Sequence, residues 1–238
     1  MSNFEIITTD DGSPSVYSKI YSEACHNLSG AYQETLYNFV QGCEINKLDH
    51  RPIKILEVGF GTGMGFICTI ENCPKPIRFV SFEKHEEMVE LAKEIHPLYK
   101  DLRKVPGGYG LQAGESEILI LIGDARDRIK EIKEQFDAIY QDAFSPRKNK
   151  ELWTKQWFKD LYKLSHDKTI LSTYSSSVSI RKALIESGWL LSNRKGHGNK
   201  KLATIAKRTG ETDKEIIEKL KRSSVEALSD EIISFPPN

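Results

Sequence analysis

Lys54-Ile55-Leu56-Glu57-Val58-Gly59-Phe60-Gly61-Thr62-Gly63 decides how the chain is read. An apolar run ends in an acid, and glycine then occupies every second position. That order predicts a buried strand, a tight turn and a helix starting at Met64. Glycine has no Cβ, so such a turn bends sharply and lets backbone N–H groups approach a ligand closely. On its own the loop implies a nucleotide-like ligand and no particular chemistry.

Outward from the loop, strands and helices alternate. Ile53 to Val58, Ile77 to Phe82, Ile118 to Ile122, Phe136 to Tyr140 and Thr169 to Thr173 read as strands. Helices are expected at Met64 to Asn72, His85 to Ile95, Arg126 to Glu134, Glu151 to Leu164 and Ser179 to Ser187. Two short final strands, Trp189 to Leu191 and Leu202 to Ala206, flank a basic loop. The alternation predicts an α/β fold, a mostly parallel seven-stranded sheet with helices on both faces. Ligands of such sheets sit at the carboxyl ends of the strands. Here four strands end in an acid or a glycine: Glu57-Val58-Gly59, Glu83, Gly123-Asp124 and Asp142. A purely structural sheet has no reason to repeat acids along one edge.

The flanks predict a three-part organisation: an N-terminal cap (1–50, strand and turn plus a helix), the main domain (51–210) and a C-terminal helical tail (211–238). In that tail Ile216, Ile217, Leu220 and Val225 fall on one helical face. Pro106-Gly107-Gly108-Tyr109-Gly110 reads as a surface loop or a mobile lid.

The 238 residues carry 34 basic and 34 acidic side chains, with 39% apolar and 29% charged residues, as in a soluble globular protein. Zero net charge leaves no global field to hold a polyanion, so nucleic-acid binding needs a local basic patch. Four cysteines lack a C-x-x-C pair and six histidines are scattered, so reduced structural thiols and no metal are expected. The first residues carry no leader pattern, and no stretch approaches the ~18 apolar residues of a membrane span, which predicts a cytoplasmic protein without membrane contact.

The strict dinucleotide pattern G-x-G-x-x-G fails, because Met64 and Phe66 fall where the third glycine belongs. A phosphate-binding G-x-x-x-x-G-K-[ST] loop is also absent. Glu57-x-Gly59-x-Gly61-x-Gly63 instead resembles the glycine loop of S-adenosylmethionine-dependent methyltransferases. That resemblance implies S-adenosyl-L-methionine as cofactor, held by Glu57, Gly59, Phe60, Gly61, Thr62 and Gly63. Glu83, at the end of the second strand, can accept from both ribose hydroxyls. Asp124, followed by Ala125, can accept from the adenine amino group.

The stretch Asp142-Ala143-Phe144-Ser145-Pro146-Arg147-Lys148-Asn149-Lys150-Glu151-Leu152-Trp153-Thr154 narrows the family. It resembles D-G/A-F-A/S-P-x-K-N-P-x-M/L-W in the methyltransferase domain of the bifunctional tRNA 5-methylaminomethyl-2-thiouridine biosynthesis protein. Val58 to Gly63, Ser81-Phe82-Glu83-Lys84, Gln33-Glu34-Thr35 with Tyr37 and Phe39, and Arg194 to Lys201 are similar to further motifs of that family. The resemblance implies a Rossmann-like fold with antiparallel final strands, and it puts Lys84 and Glu34 with the cofactor. It implies methyl transfer to the primary amine of an aminomethyl group on the wobble uridine of tRNA. Asp142 would then orient the amine lone pair and stabilise the charge that develops on nitrogen. Phe144 and Pro146 offer a flat wall for a base. Lys148, Arg194, Lys195, Lys200 and Lys201 offer phosphate contacts.

The chain departs from the family pattern in three places. Ser165-His166-Asp167-Lys168 replaces R-P-G-G, His197 replaces an aromatic, and Lys200-Lys201-Leu202-Ala203 replaces a basic-acidic ending. The length leaves no room for the family's flavin domain, so methylation alone is expected, with the aminomethyl group supplied by another route. Two other readings stay open: a methyltransferase of this fold acting on another amine, and a non-catalytic module that binds RNA or a partner. A nicotinamide oxidoreductase is disfavoured by the failed fingerprint.

Overall fold

The computed structural model describes residues 2–197 and 202–233. Three short strands open the chain: β1 (Phe4–Thr8), β2 (Pro14–Ser18) and β3 (Glu23–Ala24), which pair antiparallel in that order. A helix follows, α1 (Ala31–Thr35), and it runs on into one π-helical stretch, Leu36–Val40.

The alternation then begins with β4 (Ile53–Val58), α2 (Met64–Asn72), β5 (Ile77–Glu83) and α3 (Glu86–Ile95). Next come β6 (Arg103–Val105), β7 (Gly108–Ala113), β8 (Ser116–Ile122) and α4 (Ala125–Arg128). The second half contains β9 (Phe136–Gln141), α5 (Lys155–Lys163), β10 (Ser165–Thr173) and α6 (Val178–Glu186). It ends with β11 (Leu190–Lys195), β12 (Leu202–Lys207) and α7 (Lys214–Lys221). No helix among the described residues is long and apolar enough to cross a membrane.

The main sheet has the order β11-β12-β10-β9-β4-β5-β8-β7-β6. Its centre, β10-β9-β4-β5-β8, is parallel, and both edges are antiparallel. All six residues of β9 are buried, as expected for a strand covered on both faces. Two cores result. One lies under α2 and α3 around Phe66, Phe79 and Tyr140, and the other under α5 and α6 around Trp153, Trp157, Phe158 and Trp189.

Among the described residues the sheet has nine strands, not the seven expected. The two extra strands form a hairpin from the glycine-rich stretch 106–110, which is therefore neither a free lid nor a plain loop. Gly107 takes φ +78° at its turn, and a Cβ on Gly108 would strike the Ile120 carbonyl, so β7 can lie against β8 only without a side chain there. Tyr109 and Leu111 are buried beneath it.

Three expected helices are shorter than predicted. After α4 the chain passes through a 3-10 turn, Ile129–Glu131, because it must reverse to enter β9. The stretch 151–164 is split at Thr154, whose Oγ1 accepts from the Trp157 N–H at 3.3 Å and caps α5. Such a cap is worth about 1 kcal/mol. In the tail, Ile216 and Leu220 of α7 are buried while Ile217 and Val225 are exposed, so the four do not share a buried face.

Candidate active site

The site is built where β4, β5, β8 and β9 end. The glycine loop leaves β4 with Gly59 at φ +99°. A Cβ on Gly59 would come within 2.8 Å of the Asp142 carbonyl oxygen, so two strand-end loops touch only because this residue is glycine. Gly63 (φ +79°) caps α2, and its carbonyl accepts from the buried Tyr99 hydroxyl. Phe60 and Thr62 are buried within the loop.

Glu57 and Glu83 stand at the ends of β4 and β5, below the loop, and Glu83 bonds it. Glu57 is buried and accepts from Ser81 Oγ at 2.6 Å. Burial pushes its carboxyl up to about 8. Glu83 accepts from the Gly61 N–H at 3.2 Å and the His85 N–H at 2.8 Å. Burial outweighs those bonds and pushes it up to about 7. Glu83 thus ties the glycine loop to the end of β5, a role the spacing alone did not reveal. A carboxylate has about four lone-pair positions, so Glu83 keeps acceptor capacity for a ribose hydroxyl.

Asp124 does more than face a ligand. Its Oδ1 caps α4 by accepting from the Arg126 N–H at 3.0 Å, and its Oδ2 pairs with Lys84 Nζ at 3.2 Å. Ala125 is buried beside it.

These groups wall a cleft of about 850 Å³, lined by Glu57, Gly59, Phe60, Gly61, Glu83, Lys84, Asp124, Ala125 and Asp142. A second cavity of about 730 Å³ adjoins it. Its walls include Glu23, His26, Glu34 and Tyr174, and it shares Cys25, His26, Asp142, Ala143 and Phe144 with the first. Asp142 therefore stands between the two, held by a bond from its N–H to the Val58 carbonyl at 3.1 Å.

The loop after β9 is fixed by two indoles. Trp153 Nε1 donates to the Phe144 carbonyl at 2.8 Å, and Trp157 Nε1 donates to Gln141 Oε1 at 3.0 Å. Gln141 Nε2 in turn donates to the Leu152 carbonyl at 2.9 Å. Much of the long Asp142 to Thr154 motif is thus a frame that presents Asp142.

The other residues expected at the site are dispersed. Phe144 lines both cavities, but Tyr21 is stacked on it, 4.3 Å between centroids at 22°. Glu34 lines the second cavity and not the cofactor-sized one. Pro146 and the exposed Lys148 lie on the β9 loop outside both cavities. Arg194 covers the Tyr37 ring at 4.2 Å and donates to the Tyr37 carbonyl at 3.1 Å, which leaves its guanidinium partly engaged within the fold. Lys195 is exposed on β11. Lys200 and Lys201 lie outside the described residues.

Sequence reasoning missed Tyr21, Glu23, Cys25, His26, Asn149 and Tyr174 as lining residues. The segment from Tyr21 to His26 has no periodicity and no motif. Only its arrival over the strand ends makes it part of the site. His26 is half-buried, and desolvation pushes it down to about 4, so it is a neutral ring near pH 7.

A family profile described as S-adenosyl-L-methionine-dependent methyltransferase matches residues 88–209, just over half of the chain. The chain belongs to this methyltransferase family. It is also similar to the crystal structure of MNMC2 from Aquifex aeolicus, at 31% identity and a TM-score of 0.77, covering 94% of this chain and 77% of that one. Among curated proteins it matches the tRNA 5-methylaminomethyl-2-thiouridine biosynthesis bifunctional protein MnmC of Thiobacillus denitrificans (27% identity, 87% of this chain, 37% of that protein). The Pseudomonas entomophila protein of the same name is 30% identical over 80% of this chain and 33% of its own length. The chain spans about a third of the length of these curated relatives. S-adenosyl-L-methionine is the family's cofactor, and the residues here fit it. The glycine cradle would be filled by a Cβ, and a buried carboxylate faces the cleft at the end of β5.

Proposed function

We propose that the chain methylates the primary amine of an aminomethyl group on the wobble uridine of tRNA, taking 5-aminomethyl-2-thiouridine to 5-methylaminomethyl-2-thiouridine in the cytoplasm. The observation that carries this reading is the position of Asp142, shared by a cofactor-sized cleft and a second cavity. The bound cofactor supplies an electrophilic methyl group. Glu83 receives the ribose hydroxyls, the glycine loop and Glu57 hold the methionine end, and Lys84, Asp124 and Ala125 border the base. Asp142 accepts an N–H of the substrate amine, turns its lone pair toward the methyl carbon and stabilises the positive charge that nitrogen gains. Lys148 and Lys195, both exposed, supply phosphate contacts, and Lys200 and Lys201 extend that basic stretch. Positions 1–50 act as a cap that closes the site, and 211–233 as a brace against α6.

Methyl transfer from labelled cofactor to tRNA bearing the aminomethyl group tests this reading. Turnover that requires the tRNA and disappears in Asp142→Ala, with S-adenosylhomocysteine still bound, supports it. Equal turnover with small amines and no RNA moves the substrate to another class.

A further inference from the structure

The tail after α7 returns to the edge of the cofactor-sized cleft. On its way it is fixed to α5 and α6. Lys182 Nζ donates to the Ser223 carbonyl at 2.9 Å, the Lys155 N–H to the Leu228 carbonyl at 2.8 Å, and the Leu228 N–H to the Ser179 carbonyl at 3.3 Å. Ala227, Ser229 and Ile233 are buried. The Asp230 N–H donates to Gln156 Oε1 at 3.0 Å, so the backbone that carries this aspartate is held in place. Its carboxylate meets the Arg126 guanidinium in a two-pronged pair, Nη1 to Oδ1 at 3.0 Å and Nη2 to Oδ2.

We propose that Asp230 is a positioning residue for the cofactor's adenine: it holds the Arg126 guanidinium away from Asp124, so that the Asp124 carboxylate can accept from the adenine amino group. The inference rests on the reading above that Asp124 borders the base, and adds to it what the tail does there.

Three observations carry it. Arg126 is tied to Asp124 at its root, because Asp124 Oδ1 accepts the Arg126 N–H at 3.0 Å. The Arg126 side chain therefore starts beside that carboxylate. The bond to Asp230 comes first among the influences that favour the charged guanidinium, and the charges of Asp124 and Asp160 add to it. Asp160 is already engaged by Lys163 at 2.8 Å. Asp124 also pairs with Lys84, yet it is 37% exposed and lines the cleft. Lastly, neither Arg126 nor Asp230 lines the cleft among the described residues, so any effect on the cofactor runs through Asp124.

The physical consequence follows from the shape of arginine. Its planar fork fits any carboxylate with two parallel bonds, and it stays charged at all working pH values. Without Asp230 the fork turns to Asp124. A carboxylate so occupied has fewer lone-pair positions for an amine N–H and less charge to offer it.

Calorimetry with S-adenosylhomocysteine, and with its analogue lacking the adenine amino group, tests this on the full chain. Five forms are compared: unaltered, Asp230→Asn, Asp230→Glu, Arg126→Gln and the double variant Asp230→Asn with Arg126→Gln. The unaltered chain is expected to prefer the amino-bearing ligand by about 10- to 100-fold, the range of one hydrogen bond to a charged group. Asp230→Asn keeps the shape of the tail and releases the guanidinium, and is expected to lose about 10-fold of that preference. Asp230→Glu keeps the charge and is expected to retain most of it. Arg126→Gln leaves the backbone N–H on Asp124 and removes the competitor, so its preference is expected within about twofold of the unaltered chain. The double variant is expected to recover what Asp230→Asn loses.

A tail that only stabilises the fold gives another pattern: both ligands weaken together in Asp230→Asn, and removing Arg126 as well restores nothing. That pattern overturns the proposal, and so does an Asp230→Asn variant that keeps the full preference. No preference in the unaltered chain overturns the reading of Asp124 itself and the proposal with it, a result distinct from the other two.

Discussion

The edge formed by β4, β5 and β8 and the segment from Tyr21 to His26 wall the same site, yet only the first was readable residue by residue. The edge is local: each acid follows its own apolar run, so Glu57, Glu83 and Asp124 declare their places one strand at a time. The N-terminal segment is not local. Tyr21 reaches Phe144 across 123 positions, and Glu23 Oε2 accepts the Ser145 N–H at 3.2 Å. Repeating chemistry writes itself into sequence, whereas a segment draped over a site leaves no period to detect.

The two regions meet at Asp142. Asp142→Asn keeps shape and removes the carboxylate, so kcat is expected to fall by about 10²- to 10⁴-fold. S-adenosylhomocysteine affinity, measured by calorimetry, should stay within about threefold, since the cofactor wall is otherwise intact. A kcat near that of the unaltered chain would remove Asp142 from its role.

Trp153 comes next, as the frame of the β9 loop. Trp153→Ala empties a fully buried site and is expected to cost about 3–5 kcal/mol, read from denaturant unfolding. Trp153→Phe keeps most of the volume but frees the Phe144 carbonyl, and should cost about 1–3 kcal/mol with a drop in kcat larger than the drop in cofactor affinity. Equal losses in both would mean that the indole serves only the core.

On the cofactor side, Glu83→Gln weakens an acceptor that already holds two backbone N–H groups. A rise in the S-adenosylhomocysteine Kd of about 10-fold is expected, with affinity for the amine nucleoside untouched. A variant that loses amine binding and keeps cofactor binding would exchange the two walls.

The same wall sets a pH dependence. The folded carboxyls of Glu83 and Glu57 sit near 7 and 8, above the 4.5 of an unfolded glutamate. The folded chain therefore holds protons that the unfolded chain has released. The stability this contributes is full below about 4.5 and is lost as pH rises through 7 to 8. Unfolding measured from pH 5 to 8 should show that decline, and Glu57→Gln should flatten its upper part. Cofactor affinity should rise over the same window as Glu83 ionises.

The smallest effect belongs to the N-terminal wall. Tyr21→Ala removes a stacked ring from Phe144 and is expected to cost about 0.5–1.5 kcal/mol beyond its lost area. If it instead accelerates turnover, the ring pair is a barrier to the acceptor base.

Legibility followed the range of each interaction. The five parallel strands and the start of α2 at Met64 were readable because buried strands and a glycine turn are dictated by neighbours in sequence. The β6–β7 hairpin was hidden because Gly108 owes its place to the Ile120 carbonyl, a contact no composition reveals. Arg194 was legible as a candidate phosphate ligand from its basic stretch, but its packing over Tyr37, 157 positions away, was not. Glu34 was recognisable as part of a motif, but which cavity it walls depends on where α1 is set against the end of β9.

The most direct measurement is nucleoside mass spectrometry of tRNA carrying 5-aminomethyl-2-thiouridine, incubated with the protein and S-adenosyl-L-methionine. That nucleoside is expected to be converted to 5-methylaminomethyl-2-thiouridine, and to remain unchanged with Asp142→Asn. A tRNA whose wobble nucleoside remains unmethylated while the protein still binds the cofactor would contradict that expectation.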